Sequence, residues 1–225
     1  IYAFIPAVFS SAIPISKISP ITLMLSYISG EMPGVEDVVL SFSHILVMSG
    51  LLLYFSTKAV TPDVAYSRSI LWKLMSISRR VAATPLRSFG FAALSIPFAF
   101  MAEFILLILL FTLPKNAAIP ALILSVAVVE ETIKGLVISA RPTYVNAIAT
   151  AVGFFAGEKA LLVFSLIREH SVAFLGQFLV LPLLLHLLTS LLFVLMRGYG
   201  FSRSYAAAVA VHAAYNYAVV TLFAA

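Results

Sequence analysis

Apolar runs of about twenty residues dominate the chain, at 38–57, 89–113, 119–139, 143–166, 171–195 and 204–224, each bounded by proline, glycine or charge. Wound as helix at 1.5 Å per residue, such a run matches the roughly 30 Å hydrocarbon core of a bilayer. A backbone in hydrocarbon must satisfy its own polar groups, which leaves helices as the form for these runs. Composition agrees, with 62% hydrophobic residues, 10% charged and a mean hydropathy of +1.10, far from soluble averages. The expected fold is all-α: a polytopic membrane helix bundle of about seven transmembrane helices plus a surface amphipathic helix. At 225 residues there is no room for a separate soluble domain, so 1–225 reads as one integral-membrane domain in the cell membrane, with the lipid bilayer as its first partner. Cysteine is absent, which excludes disulfides, thiolate metal sites and a cysteine nucleophile.

Residues 1–29 are apolar but interrupted by Pro6, Pro14, Lys17 and Pro20, and read as one kinked span or a short span followed by an interfacial piece. From Lys58 to Arg87 the chain turns basic. Ile70, Leu71, Trp72, Leu74, Met75 and Ile77 there alternate with Arg68, Lys73, Arg79 and Arg80 at helical spacing, as in a helix lying on a membrane surface. The net charge of +5 could suggest nucleic acid, but six of the fourteen cations (Lys58, Arg68, Lys73, Arg79, Arg80, Arg87) fall in this one inter-helix segment. Clustering of that kind sets topology, so no nucleic-acid partner is expected. Placing 58–87 in the cytoplasm puts Arg141, Arg197 and Arg203 on the same side, with Lys115, Arg168 and the acidic 31–37 loop outside.

Four successive apolar runs carry polar motifs with ionisable groups, each of which costs at least about 2.5 kcal/mol at membrane depth. They are Glu130-Glu131-x-x-Lys134, Phe154-x-x-x-Glu158, His186-x-x-x-Ser190 and His212-x-x-x-Asn216. From the helical rise, Glu130, His186 and His212 lie on the order of 12 to 15 Å from the cytoplasmic ends of their helices, and Glu158 roughly 22 Å along its own. Glu130 with Lys134, His186 with Ser190, and His212 with Asn216 share helix faces, so four polar faces can meet at one wet cavity.

Two adjacent carboxylates in a low-dielectric site do not both carry charge easily, which suits one of them to general acid or base work. Lys134 would hold the other ionised. A histidine and an asparagine one turn apart can donate to a developing oxyanion. The same groups suit a zinc ion, with Glu130, Glu158, His186 and His212 as ligands and a bound water as nucleophile. A rival from another class uses Glu103, Glu130, Glu158, Lys134, Lys159 and the histidines as a proton or cation relay in a transporter. A solitary intramembrane glutamate is often only a helix-packing group, but four polar motifs in consecutive spans argue for a shared site. Lys159 and Glu103 read as a structural or gating ion pair, His44 as a packed histidine and His170 as a solvated one.

The order Glu-Glu-x-x-Lys, Phe-x-x-x-Glu, His, then His-x-x-Tyr-Asn resembles the PrsW branch of intramembrane proteases, related to the CAAX-processing and bacteriocin-processing endopeptidases. The resemblance covers about 119–220. In the CAAX-type relatives the first motif is usually Glu-Glu-x-x-x-Arg and the second ends in His. Here Lys134 is one residue closer and Glu158 holds the second-motif position, which favours PrsW. The resemblance implies a peptidase of glutamic or metallo type, acting on a membrane protein or peptide. It implies that Glu130 activates water, with Glu131 and Lys134 as its motif neighbours. Glu158 replaces the relatives' second activating group or ligates a metal, His212 and Asn216 polarise the scissile carbonyl, and His186 completes the site.

Overall fold

The computed structural model describes residues 23, 27, 28, 30, 32–59, 70–110, 112–166 and 172–223. Seven α-helices and one short 3-10 turn make up these residues, and no strand occurs among them: α1 (Val35–Ala59), α2 (Ile70–Val81), α3 (Pro85–Leu110), α4 (Lys115–Ala140), α5 (Tyr144–Leu166), α6 (Val172–Leu195), the turn Arg197–Tyr199, and α7 (Phe201–Phe223). The all-α expectation holds. Five of the helices cover the apolar runs at 89–113 through 204–224 to within a few residues at either end, α1 covers 38–57, and α2 lies inside the basic 58–87 segment. The 1–29 reading and the Arg168-Glu169-His170 junction lie outside the described residues. Among the described residues no helix is long and apolar enough to cross a membrane. In α4 the apolar run is cut by Glu130, Glu131 and Lys134.

Local chemistry sets the helix ends. Glu36 and Asp37 occupy the first turn of α1, where carboxylates complement the helix dipole, and Arg79 and Arg80 occupy the last turn of α2. Pro85 opens α3, a position where the missing N–H has no helical partner to lose. The α4–α5 corner is closed by Asn146, whose Nδ2 donates to the carbonyls of Arg141 (3.0 Å) and Val137 (3.4 Å). Arg141 in turn donates to the Ala83 carbonyl at 2.6 Å, tying that corner to the α2–α3 connection. Gly200, at φ 88°, makes the left-handed reversal into α7 that a side chain would strain.

The tightest packing is between α3 and α5. A Cβ at Gly153 would lie 2.2 Å from the Phe89 carbonyl oxygen, and one at Gly157 would lie 2.5 Å from that of Ala93. Gly153 and Gly157 thus form a small-x-x-x-small stripe that lets two backbones touch. Pro97 supplies the reason at one of these points. It has no N–H, so the Ala93 carbonyl four residues earlier loses its helical partner and turns to α5 instead. Around this contact Ala92, Ile96, Ala99 and Phe154 form one apolar cluster, while Ile138, Ala147, Phe193, Val194 and Ala208 form a second among α4, α5, α6 and α7. Glu130, Glu131, Lys134, His186, Thr189, Ser190 and His212 are buried as well. Large apolar side chains face outward instead, among them Ile105, Ile108 and Leu109 on α3 and Leu181, Leu184, Leu188 and Leu195 on α6.

Candidate functional site

Each of four helices brings polar side chains to one place. α4 provides Glu130, Glu131 and Lys134, α5 provides Glu158 and Lys159, α6 provides His186 and Thr189, and α7 provides His212. The glycine stripe holds α5 against α3 one turn before Glu158, which fixes the height at which that carboxylate meets α6.

The centre of the cluster is the Lys134 ammonium. It donates to Glu131 Oε1 at 2.5 Å, His186 Nδ1 at 3.1 Å and Thr189 Oγ1 at 3.2 Å. The Lys134 side chain is fully buried, and its nitrogen stands 5.2 Å over the Phe154 ring. A charge so placed is tolerable only with every proton paired. Glu131 Oε1 also accepts from His212 Nδ1 at 2.7 Å. On the other arm His186 Nε2 donates to Glu158 Oε2 at 2.9 Å, and Glu158 Oε1 accepts from Lys159. The two imidazole rings stand edge to face, 5.9 Å between centroids.

Glu130 is held differently. Its Oε2 is buried without a hydrogen-bond partner, 3.8 Å from His212 Nε2 and 4.0 Å from His186 Nδ1. Those separations are too long for a direct hydrogen bond. Glu131 Oε2 and Ser190 Oγ are also buried and unpartnered.

Convergence of Glu130, Glu131, Lys134, Glu158, His186 and His212 follows the sequence reading, but several pairings do not. Lys134 bonds Glu131 at i,i+3, since that carboxylate and not Glu130 turns toward it on the helix. Ser190 was expected to share a polar face with His186; the hydroxyl that joins the network is its neighbour Thr189. Lys159 pairs with the adjacent Glu158, whereas Glu103 Oε1 is buried with no partner. Asn216 lies one turn past His212, half-buried and free of side-chain hydrogen bonds among the described residues. The side chain of His44 lies outside the described residues. Thr189 was legible as the i+3 neighbour of His186, and Gly153 with Gly157 as a spaced pair of small residues; neither belongs to the motif set that drew the eye.

The donor set can be tested against zinc. His186 Nδ1 accepts a hydrogen bond from Lys134 and its Nε2 donates one to Glu158, so that ring has no free lone pair to offer. Glu158 is already shared between His186 and Lys159. Glu130 Oε2, Glu131 Oε2 and His212 Nε2 remain unshared, but the other Glu131 oxygen is committed to Lys134 and His212. Among the described residues no group of three or more His, Asp or Glu side chains is arranged to hold a metal ion. As arranged, these residues do not fit zinc.

No protein-family model matches the chain, and neither does any curated protein or solved structure. The functional reading therefore stands on the residues and their geometry.

Proposed function

We propose that the chain is a multi-pass intramembrane endopeptidase, with its catalytic core at about 119–220, that hydrolyses membrane-embedded or membrane-proximal protein segments by a water activated between Glu130 and His212. One observation carries the reading: a buried, unpartnered carboxylate oxygen of Glu130 faces the Nε2 of His212 at 3.8 Å. Water placed there gives one proton to this acceptor pair as its oxygen attacks the scissile carbonyl carbon. The carbonyl π electrons move to oxygen, and the amide of Asn216, one turn along α7 from His212, would donate to that oxyanion. Collapse expels the amine, which takes the proton back. Glu131, bonded to His212 Nδ1, orients the ring and balances the positive charge when Nε2 is protonated.

The membrane setting is supported by the reversed polarity of the bundle, with Glu131 and Lys134 fully buried and leucines exposed along α6. Apolar side chains facing outward around a charged interior suit lipid as solvent, with the basic 58–87 segment toward the cytoplasm. The PrsW resemblance adds that an EE-x-x-K helix, a glutamate helix and two histidine helices occur in this order. The transporter reading has its own support, since Lys159, Glu158, His186, Lys134, Glu131 and His212 form one continuous hydrogen-bonded chain.

A test of the two readings incubates detergent-purified protein with a transmembrane reporter peptide, and in parallel measures proton and sodium flux in proteoliposomes. Cleavage that His212→Ala abolishes supports the peptidase. Cleavage that persists in both Glu130→Ala and His212→Ala, or flux without any cleavage, overturns it.

A further inference from the structure

We propose that Lys134, with Thr189, is a positioning residue that locks His186 as the Nε2–H tautomer, opposite to the Nδ1–H tautomer that Glu131 imposes on His212, leaving His212 Nε2 as the one imidazole lone pair in this core not engaged by a donor. The catalytic meaning of this inference rests on the peptidase reading; the tautomers themselves do not.

An ammonium group has three N–H donors and no lone pair, so every atom it bonds must accept. Lys134 spends its three protons on Glu131 Oε1, His186 Nδ1 and Thr189 Oγ1. The Thr189 hydroxyl, having accepted from Lys134, donates its own proton to the His186 backbone carbonyl at 3.4 Å. It therefore takes up the third ammonium proton without competing for the ring. With Nδ1 of His186 accepting, the neutral ring carries its proton on Nε2 and donates a hydrogen bond to Glu158 Oε2 at 2.9 Å. The other oxygen of that carboxylate accepts from Lys159.

On the other arm the order reverses. Glu131 Oε1 accepts from Lys134 and also lies 2.7 Å from His212 Nδ1. A carboxylate can only accept, so Nδ1 of His212 carries the proton and Nε2 keeps its lone pair, 3.8 Å from Glu130 Oε2. The Lys134 ammonium thus sets His186 through Nδ1, while Glu131, to which it also donates, sets His212 in the opposite sense. Both rings are 2% exposed, so bulk water does not scramble the assignment. It follows that His186 neither activates water nor ligates a metal. It orients Glu158, and proton transfer from the water falls to Glu130 with His212.

The test uses the full chain labelled with 15N-histidine in detergent micelles, with the four ring systems assigned by His186→Gln and His212→Gln. Long-range 1H–15N correlation separates Nδ1–H from Nε2–H rings. The expected spectrum has His186 as Nε2–H and His212 as Nδ1–H. Two rings of the same tautomer, or the reverse pair, would overturn the proposal. In Lys134→Met the His186 pattern is expected to leave the pure Nε2–H form while His212 keeps Nδ1–H; a His186 pattern unchanged in that variant would also overturn it. Opposite tautomers in a protein that cleaves nothing would leave this inference standing and sink only the peptidase.

Discussion

Around Lys134 all three ammonium protons are taken and the rings on both sides are bonded through to carboxylates. Around Glu130, one residue along the same helix from Glu131, an oxygen of equal charge capacity faces its nearest ring nitrogens at 3.8 and 4.0 Å and bonds neither. The two regions share helices and burial, yet one is closed and the other is gapped. A packed core closes every polar contact it can, because a buried unpaired polar atom costs about 1–3 kcal/mol. In the proposed peptidase, the unpartnered Glu130 oxygen beside this heavily bonded network is where a water and then a peptide carbonyl would be received.

Substitutions at the two regions should therefore have different signatures. The largest effect is expected for Lys134→Met, which strips three hydrogen bonds and leaves Glu131 as a buried unpaired charge. Breaking a buried pair in this way costs about 3–5 kcal/mol, so thermal unfolding should move sharply downward and peptide cleavage should vanish with it. A normal melting temperature in Lys134→Met would erase the distinction between the closed region and the gap. Asn216→Ala comes next, with loss of about 10²–10³ in kcat and a melting curve close to the parent's, since this side chain has no bond to lose. An unchanged kcat would remove Asn216 from the site.

A smaller effect is expected at the scaffold. Gly153→Ala places a methyl against the Phe89 carbonyl, forcing α5 off α3 at about 1–3 kcal/mol. Because Glu158 rides on α5, the hydrogen bond to His186 should loosen, detectable as faster exchange of the His186 ring proton, while Glu131 with His212 stays intact. Equal loosening on both arms would show the network to be one unit rather than two. The smallest effect is none at all: removal of divalent metals by a strong chelator should leave cleavage within experimental scatter. Loss on chelation with rescue by zinc would restore the metal route.

Much of this was legible before any coordinates. Apolar runs bounded by Pro114, Pro142 and Gly198 with Gly200 placed the helices to within a few residues, since breakers and hydrophobic length act locally. Depth along each run put Glu130, His186 and His212 at one level, with Glu158 farther along its helix. Helical spacing could not say which of two adjacent glutamates turns to Lys134, because i,i+3 and i,i+4 both fall on one face and the choice depends on where α6 and α7 press against α4. Nor could it show that Lys159 bonds Glu158 rather than Glu103, a matter of how α3 and α5 are rotated about their glycine contact. Thr189 escaped notice because a threonine in a leucine-rich helix normally bonds its own backbone, as this one also does.

The central claim, that the Glu130 gap holds the reactive water while the Lys134 network holds the fold, is tested most directly by Glu130→Gln measured for cleavage and thermal stability on the same preparation. The account predicts a fall in kcat of about 10²–10⁴ with a melting temperature equal to or above the parent's, because the lost carboxylate oxygen has no partner. Cleavage near the parental rate, or a collapse in stability matching that of Lys134→Met, would contradict it.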